Sequence, residues 1–281
     1  MEYHPNGSVL SEGYYVNGLQ EGLSNEFYEN DSLAATGFYE DGKQQGIWVE
    51  YYENGNLASE GAYIKGKKEG EWKTYFEDGK TSMEGSFVEG FEDGYWKIYH
   101  ENGKMQMEGN YNSGMETGLW KEYYENGFLS SEGNYLLGKE DDKWKNYWDN
   151  NILMQEENWE KGKLISVSDV YNKAGKVIAK SGVKDGNGIL KTYADNGKVS
   201  AEGNVKNGLL EGIWKYYHAN GILSGSGEMK EGLRQGLWKF YLDTGKLEAE
   251  GAYKDDELSG VWKFYEQGQL SRMENYDDDD E

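Results

Sequence analysis

The sequence predicts an all-β fold: tandem hairpins of about 24 residues forming an elongated, twisted, single-layer antiparallel sheet. Three observations predict it. A pattern opening G-x-W recurs without insertion from Gly46, Gly70, Gly94 and Gly118, and resumes at Gly188, so the chain is a repeat array. Glycine accounts for 40 of 281 residues and aromatics for 15%, with a single proline, a composition that suits strands separated by tight turns. Each period also carries two turn signals, an ENG, EDG or DNG near its middle and a Gly-bounded segment such as GKKEG at its end.

Counting the G of G-x-W as position one, the first predicted strand is xWKxYY. Position three is usually Trp, as in Trp48, Trp72 and Trp96, and position four is usually Lys. Position six is aromatic in every copy, from Tyr3 and Phe27 to Tyr241 and Tyr265. The turn follows, with Gly at positive φ after a type I turn. The second strand runs from about position eleven to twenty. It carries an aliphatic at twelve (Leu57, Leu129, Val199), Glu at fifteen, Gly at sixteen and Tyr or Phe at eighteen. Pairing seven with eleven sets six opposite twelve, so Tyr and aliphatic side chains form a ladder on one face. Position four then falls near fourteen, and its Lys reaches Glu fifteen only diagonally or through a bulge at Gly sixteen. No copy holds enough apolar surface to stand alone, so stability must come from stacked neighbours.

A half copy opens the chain at 1–21, a weaker copy fills 22–45, and a shortened one closes it from Gly260. The pattern departs most at 142–187. The copy from Asp142 keeps Trp144 and Tyr147 but has Asn150–Asn151 at the turn. The next is two residues short, with Ser168 where Trp is usual and basic residues at Lys173, Lys176, Lys180 and Lys184. This reads as a kink between two arrays, 1–165 and 166–276, or as a specialised binding site. Its aromatics Trp144, Tyr147, Trp148, Trp159 and Tyr171 are the candidate interaction surface. The acidic run at 277–281 reads as a solvated tail.

A net charge of −23 argues against nucleic acid and anionic lipid as partners and favours a basic protein. It also keeps an exposed sheet from self-association. Cysteine is absent, so disulfides, thiolate nucleophiles and Cys-ligated zinc are excluded. Only two Arg accompany 27 Lys. His4, His100 and His218 all fall at position seven of separate copies, a ladder substitution rather than a catalytic cluster. The recurring Glu60, Glu84, Glu108, Glu132, Glu202 and Glu250 offer equivalent carboxylates, not the unlike pair that glycoside hydrolysis needs. The glycines punctuate hairpins and form no phosphate loop. No enzyme activity, cofactor or metal is expected.

The run G-x-W-x-x-Y-x-x-N-G-x-L-x-x-E-G-x-Y-x-x-G resembles the bacterial variant of the MORN repeat, found in YwqK-like proteins described as antitoxin components and in surface-associated proteins. The resemblance implies a non-catalytic repeat scaffold for protein–protein interaction, and hence an antitoxin or immunity protein that neutralises a basic toxin. The alternative it implies is a secreted or surface-associated structural or adhesion module. A cytoplasmic location goes with Met1 as native start, a surface location with a removed leader. Terminal strands able to pair between chains leave the oligomeric state open.

Overall fold

The computed structural model describes residues 1–266 and 268–277, so residues 278–281 of the acidic tail lie outside the described residues. All regular structure among the described residues is β. Three antiparallel sheets of fifteen, two and nine strands pair each strand with its chain neighbours, and none closes into a barrel. The single-layer hairpin array expected from the sequence is what forms. The chain divides into two units, Met1–Lys139 and Glu140–Glu281.

In the first unit, strands Lys67–Tyr75, Thr81–Val88 and Phe91–Tyr99 typify the copy. Position six does pair with twelve, as Tyr75 with Thr81. Within the hairpin, however, the bulge is not at the sixteenth-position glycine. Thr74 already pairs with Met83, which leaves Ser82 at position thirteen as the extra residue. Lys73 therefore lies directly opposite Glu84, and Trp72 opposite Gly85. A second register shift falls between Glu84 and Ser86 on the far side of that strand, where Gly94 takes a φ of 77°. The opening glycine of the regular copies is thus a bulge residue, whereas Gly188 pairs directly with Val183.

Both turns behave as their residues dictate. In the mid-copy turn the Gly79 amide donates to the Phe76 carbonyl at 2.8 Å, and Gly79 has a φ of 83°. The end-of-copy turn is a two-residue link with both residues at positive φ, Glu89 at 52° and Gly90 at 90°, the twist that joins antiparallel strands.

Successive copies are tied by side chains as well as strands. At position seven, Tyr52 donates its hydroxyl to the Tyr75 carbonyl at 2.6 Å. His100 Nε2 does the same to the Tyr123 carbonyl at 2.8 Å, so that nitrogen carries the proton. At position nine, Asn102 donates to the Glu125 carbonyl at 2.8 Å in the next turn. At position twenty-four, Glu69 accepts from the Glu89 amide of the next end-of-copy turn at 2.9 Å. Part of the acidic composition therefore serves turn amides.

The buried spine is not the position-six ladder that the sequence suggested. It is built from Trp at three and Tyr or Phe at eighteen. Tyr63, Trp72, Phe87, Trp96 and Tyr111 meet edge to face with centroids 5.0–6.1 Å apart. The six–twelve pair exists, but Tyr75 and Tyr99 point their hydroxyls into the charged network of the opposite face. Each spine indole lies flat on the preceding copy's glycine: a Cβ on Gly85 would sit 2.1 Å from Trp96 Cδ2. The indole nitrogen donates to the following carbonyl, Trp96 to Ser86 at 3.2 Å.

In the second unit the copy from Asp142 keeps its register despite losing both glycines. Asp142 and Asn151 adopt φ of 60° and 63° in their place. Real irregularity begins after Lys163–Val167. A short hairpin of Val170–Tyr171 and Val177–Ala179 follows, then Val183–Lys184 opens the nine-strand sheet. The spine there turns aliphatic, with Leu164, Val183, Leu190 and Val205 in one buried cluster that continues to Trp214, Trp238 and Trp262. Tyr276 closes it, edge-on to Trp262 at 6.4 Å.

Candidate protein-binding surface

A strand shows alternate residues to opposite faces, so positions three and five share the spine face while two, four and six share the other. On that other face the register places most Glu of position fifteen between two lysines, Glu60 lying between Val49 and Lys73. Glu84 lies 3.8 Å from Lys73 and 3.2 Å from Lys97, and Glu250 lies 3.4 Å from Lys239 and 3.9 Å from Lys263. A tyrosine hydroxyl completes each site: Tyr99 donates to Glu84 at 2.9 Å and Tyr123 to Glu108 at 2.7 Å. The Tyr99 hydroxyl, then Lys97 and Lys73, hold the Glu84 carboxyl below the usual carboxylate range against an opposing effect of burial. Tyr75 and Tyr99 are pushed up to about 12, first by burial and then by the carboxylate each serves. These equivalent carboxylates are consumed in a structural network. Flanking it are open aliphatics at position two, among them Ile47, Ile213 and Leu237, each more than half exposed.

The spine face of the first unit carries mostly negative charge, with Lys68 over the Trp72 ring at 4.2 Å as a cation among the carboxylates. Glu26, Glu50 and Glu122 occupy position five, and Glu92 and Glu116 stand beside Tyr111. Burial and the neighbouring Glu50 raise the Glu26 carboxyl above its ordinary value. Burial and Glu50 likewise raise the Tyr63 hydroxyl.

The five aromatics singled out at 142–187 do not form one open patch. Trp144 and Trp148 are buried at 9% and 1% exposure. Trp148 donates to the Tyr171 carbonyl at 2.7 Å, the same position-seven bond that Tyr and His make elsewhere. Trp159 is half-buried against the aliphatic cluster and donates to Glu157 at 2.9 Å. Tyr147 and Tyr171 are half-buried. Where the short hairpin leaves the array, a pocket of about 360 Å³ opens between Val170, Ile178, Lys180 and Tyr193, and none of the five lines it. Lys180 is paired with Asp169 at 2.8 Å and Lys173 with Asp149 at 2.5 Å. Burial pushes the Glu157 carboxyl up, with Glu140 adding to it. The three histidines lie in separate copies, each bonding the next copy's carbonyl at 2.7–2.8 Å. Among the described residues no group of three or more His, Cys, Asp or Glu is placed to hold a metal ion.

The MORN repeat variant family model matches eight segments, at residues 1–17, 44–65, 68–89, 92–113, 116–136, 187–207, 210–231 and 234–255, together more than half of the chain. The chain belongs to the MORN repeat variant family. Its longest internal gap, between residues 136 and 187, falls on the irregular stretch described above. The MORN repeat is a non-catalytic repeat type, and such repeats suggest a scaffold for interactions. The resemblance to YwqK-like antitoxins in particular is not carried by this match. No curated protein matches the chain significantly. Among solved structures, the TcdB2-TccC3-Cdc42 crystal structure is 11% identical over 93% of this chain and 16% of that chain, with a TM-score of 0.19. The Tc holotoxin pore of Photorhabdus luminescens is 11% identical over 92% of this chain and 16% of its own, with a TM-score of 0.18. This MORN-repeat chain spans about a sixth of the length of those chains.

Proposed function

We propose that this MORN-repeat chain is a non-catalytic scaffold that binds a basic protein, most concretely as an antitoxin or immunity protein covering a basic toxin. The observation that carries this reading is the division of charge between the two faces. On one face Lys and Glu alternate and cancel. On the spine face of the first unit carboxylates predominate, and burial first, then the neighbouring Glu50, raises the Glu26 carboxyl. A basic partner laid on that face relieves the repulsion, and the net charge of −23 draws it in at a rate that falls with salt. Capture from native lysate at low and at high salt, with the bound proteins identified, tests it. A basic protein retained at low salt and released as salt rises is expected, with retention weakened by Glu26→Gln and Glu50→Gln. No basic protein at either salt sinks the proposal. Co-expression that relieves the partner's toxicity is the test of the antitoxin role.

A further inference from the structure

The last three copies depart from the others at position five. Glu26, Glu50, Thr74, Ile98 and Glu122 stand there in the first unit, whereas the aromatic residues Tyr216, Phe240 and Phe264 stand there near the C-terminus. Each ring lies beside the spine. Tyr216 is 6.0 Å from Trp238 at 39°, and Phe240 is 6.1 Å from Trp238 and 6.0 Å from Trp262, both at 23°. Position fourteen, on the same face, is Ala201, Gly225 and Ala249 beside these rings, while the first unit carries Ala35, Ser59, Met83, Met107 and Ser131 there, so Gly225 alone has no side chain.

Gly225 pairs with Tyr216 on one side and with Phe240 on the other. Its φ lies outside the left-handed region, so the backbone does not require glycine. What the missing side chain does is leave a slot of about 390 Å³. Tyr216 and Phe240 flank it, Gly225 and Trp238 floor it, and the Arg234–Asp256 ion pair at 2.7 Å closes one end. The strands that carry the two rings stand two strand spacings apart, roughly 9–10 Å, and both rings lean toward the plane of the Trp238 indole, at 39° and 23°, so that they offer their faces to a flat group laid over them.

The chain's own arginines indicate which flat group. Both lie on aromatic rings of this unit. Arg234 Cζ is 4.0 Å from the centroid of Tyr253, and Arg272 Cζ is 4.2 Å from that of Phe264. Phe264 is the position-five ring equivalent to Tyr216 and Phe240, so one member of this row already carries a guanidinium. Among the described residues no cation is placed over Tyr216 or Phe240 in that way. A guanidinium stacks on an aromatic plane better than an ammonium, which favours arginine over lysine.

We infer that the Tyr216–Phe240 slot receives an arginine side chain of a basic protein partner, its guanidinium stacked on these rings as Arg272 lies on Phe264. This rests on the basic-partner reading and gives it a site. The probes are hexa-arginine and hexa-lysine peptides, titrated at low salt into the full chain by calorimetry. Wild type is expected to bind hexa-arginine about ten-fold more tightly than hexa-lysine. Gly225→Met leaves the charge unchanged and copies the residue of Met83 and Met107. It is expected to remove the arginine preference and leave hexa-lysine binding as it was. Phe240→Glu restores the residue that Glu26 and Glu50 carry. Simple charge attraction would make it bind hexa-arginine more tightly, whereas loss of a flanking ring makes it lose the preference. Equal affinity for the two peptides, or an arginine preference untouched by Gly225→Met, overturns the slot while leaving the basic-partner reading standing. Binding of neither peptide by folded wild type overturns both.

Discussion

A Cβ on Gly85 would lie 2.1 Å from Trp96, and the same contact recurs at Gly61 with Trp72 and at Gly109 with Trp120. The glycine of one copy and the tryptophan of the next are therefore selected together. Where the array becomes irregular both change, to Glu157 and Ser168. Near the N-terminus Ser24 follows Gly13, and the Gln20 amide fills the space, its Nε2 2.8 Å from where a Cβ would be and 2.9 Å from the Ser24 hydroxyl. Trp96→Ser is expected to cost about 3–5 kcal/mol, the range for deleting a large buried aromatic. Gly85→Ala is expected to be destabilising alone and much less so once Trp96 is serine. A double-mutant cycle by chemical denaturation measures the coupling, and additive losses would contradict it. The network on the other face makes a pH prediction. Tyr99 first, then the lysines, depress the Glu84 carboxyl, and Tyr265 first does so for Glu250. Such carboxylates add stability above their unfolded value and lose it as pH falls through the folded one, so the melting temperature is expected to drop below about pH 4.5. Tyr75, Tyr95 and Tyr99, raised to about 12, act in the opposite direction, losing their contribution as pH rises from 10 toward that value. Melts across pH check both limbs, and Tyr99→Phe is expected to shallow each.

The element most sensitive to its residues is the turn. Asp142 and Asn151 hold φ of 60° and 63° where other copies use glycine. Asp142→Gly and Asn151→Gly are each expected to stabilise the chain by up to about 1 kcal/mol, since a side chain in the left-handed region carries a steric cost that is smallest for Asn and Asp. Denaturant midpoints read the change; no gain at either site would mean that these backbones are not strained. Hairpin turns and strand order were legible in the sequence because each turn is written in three or four adjacent residues. The bulge was not. Its cause lies in the fit of Trp96 on Gly85 and of Lys73 against Glu84, which joins residues 11 apart on facing strands. The same register decides that Trp, and not the position-six Tyr, forms the spine. Of the candidate site, the irregular stretch was visible as missing motifs. The burial of Trp148 was not, although its place at position seven, with Tyr52 and His100, was the signal that it serves as a carbonyl donor. The aromatic slot was also written in the sequence, as a glycine at position fourteen in one copy alone, and was missed because glycine is common elsewhere in the period.

Across the whole molecule the stabilising contacts are local along the array. Indole bonds span 10 residues, tyrosine–glutamate bonds 15, turn-amide bonds 20 and position-seven bonds 23. All are shorter than one period, so each regular copy depends on its immediate neighbours, whereas at the irregular stretch the Leu164 amide reaches past the short hairpin to the Gly208 carbonyl at 3.0 Å. Inserting one further 24-residue copy between Asp93 and Gly94 is expected to give a folded chain with a melting temperature no lower than that of the parent. Inserting 23 residues at the same point shifts every alternating side chain to the wrong face and is expected to unfold at least the adjoining copies. Circular dichroism and calorimetry of the two chains separate these outcomes.

The position-seven and position-nine bonds have a direction: the donor always belongs to the earlier copy and the acceptor to the later one. A ribosome therefore releases each set of donors before the carbonyls that will receive them exist. Every nascent intermediate ends in a copy whose far side is unfinished. For the gene, the same regularity means that unequal recombination between any two copies yields a reading frame whose product already satisfies its own joints. Such a protein can change length in whole steps without first evolving a new interface.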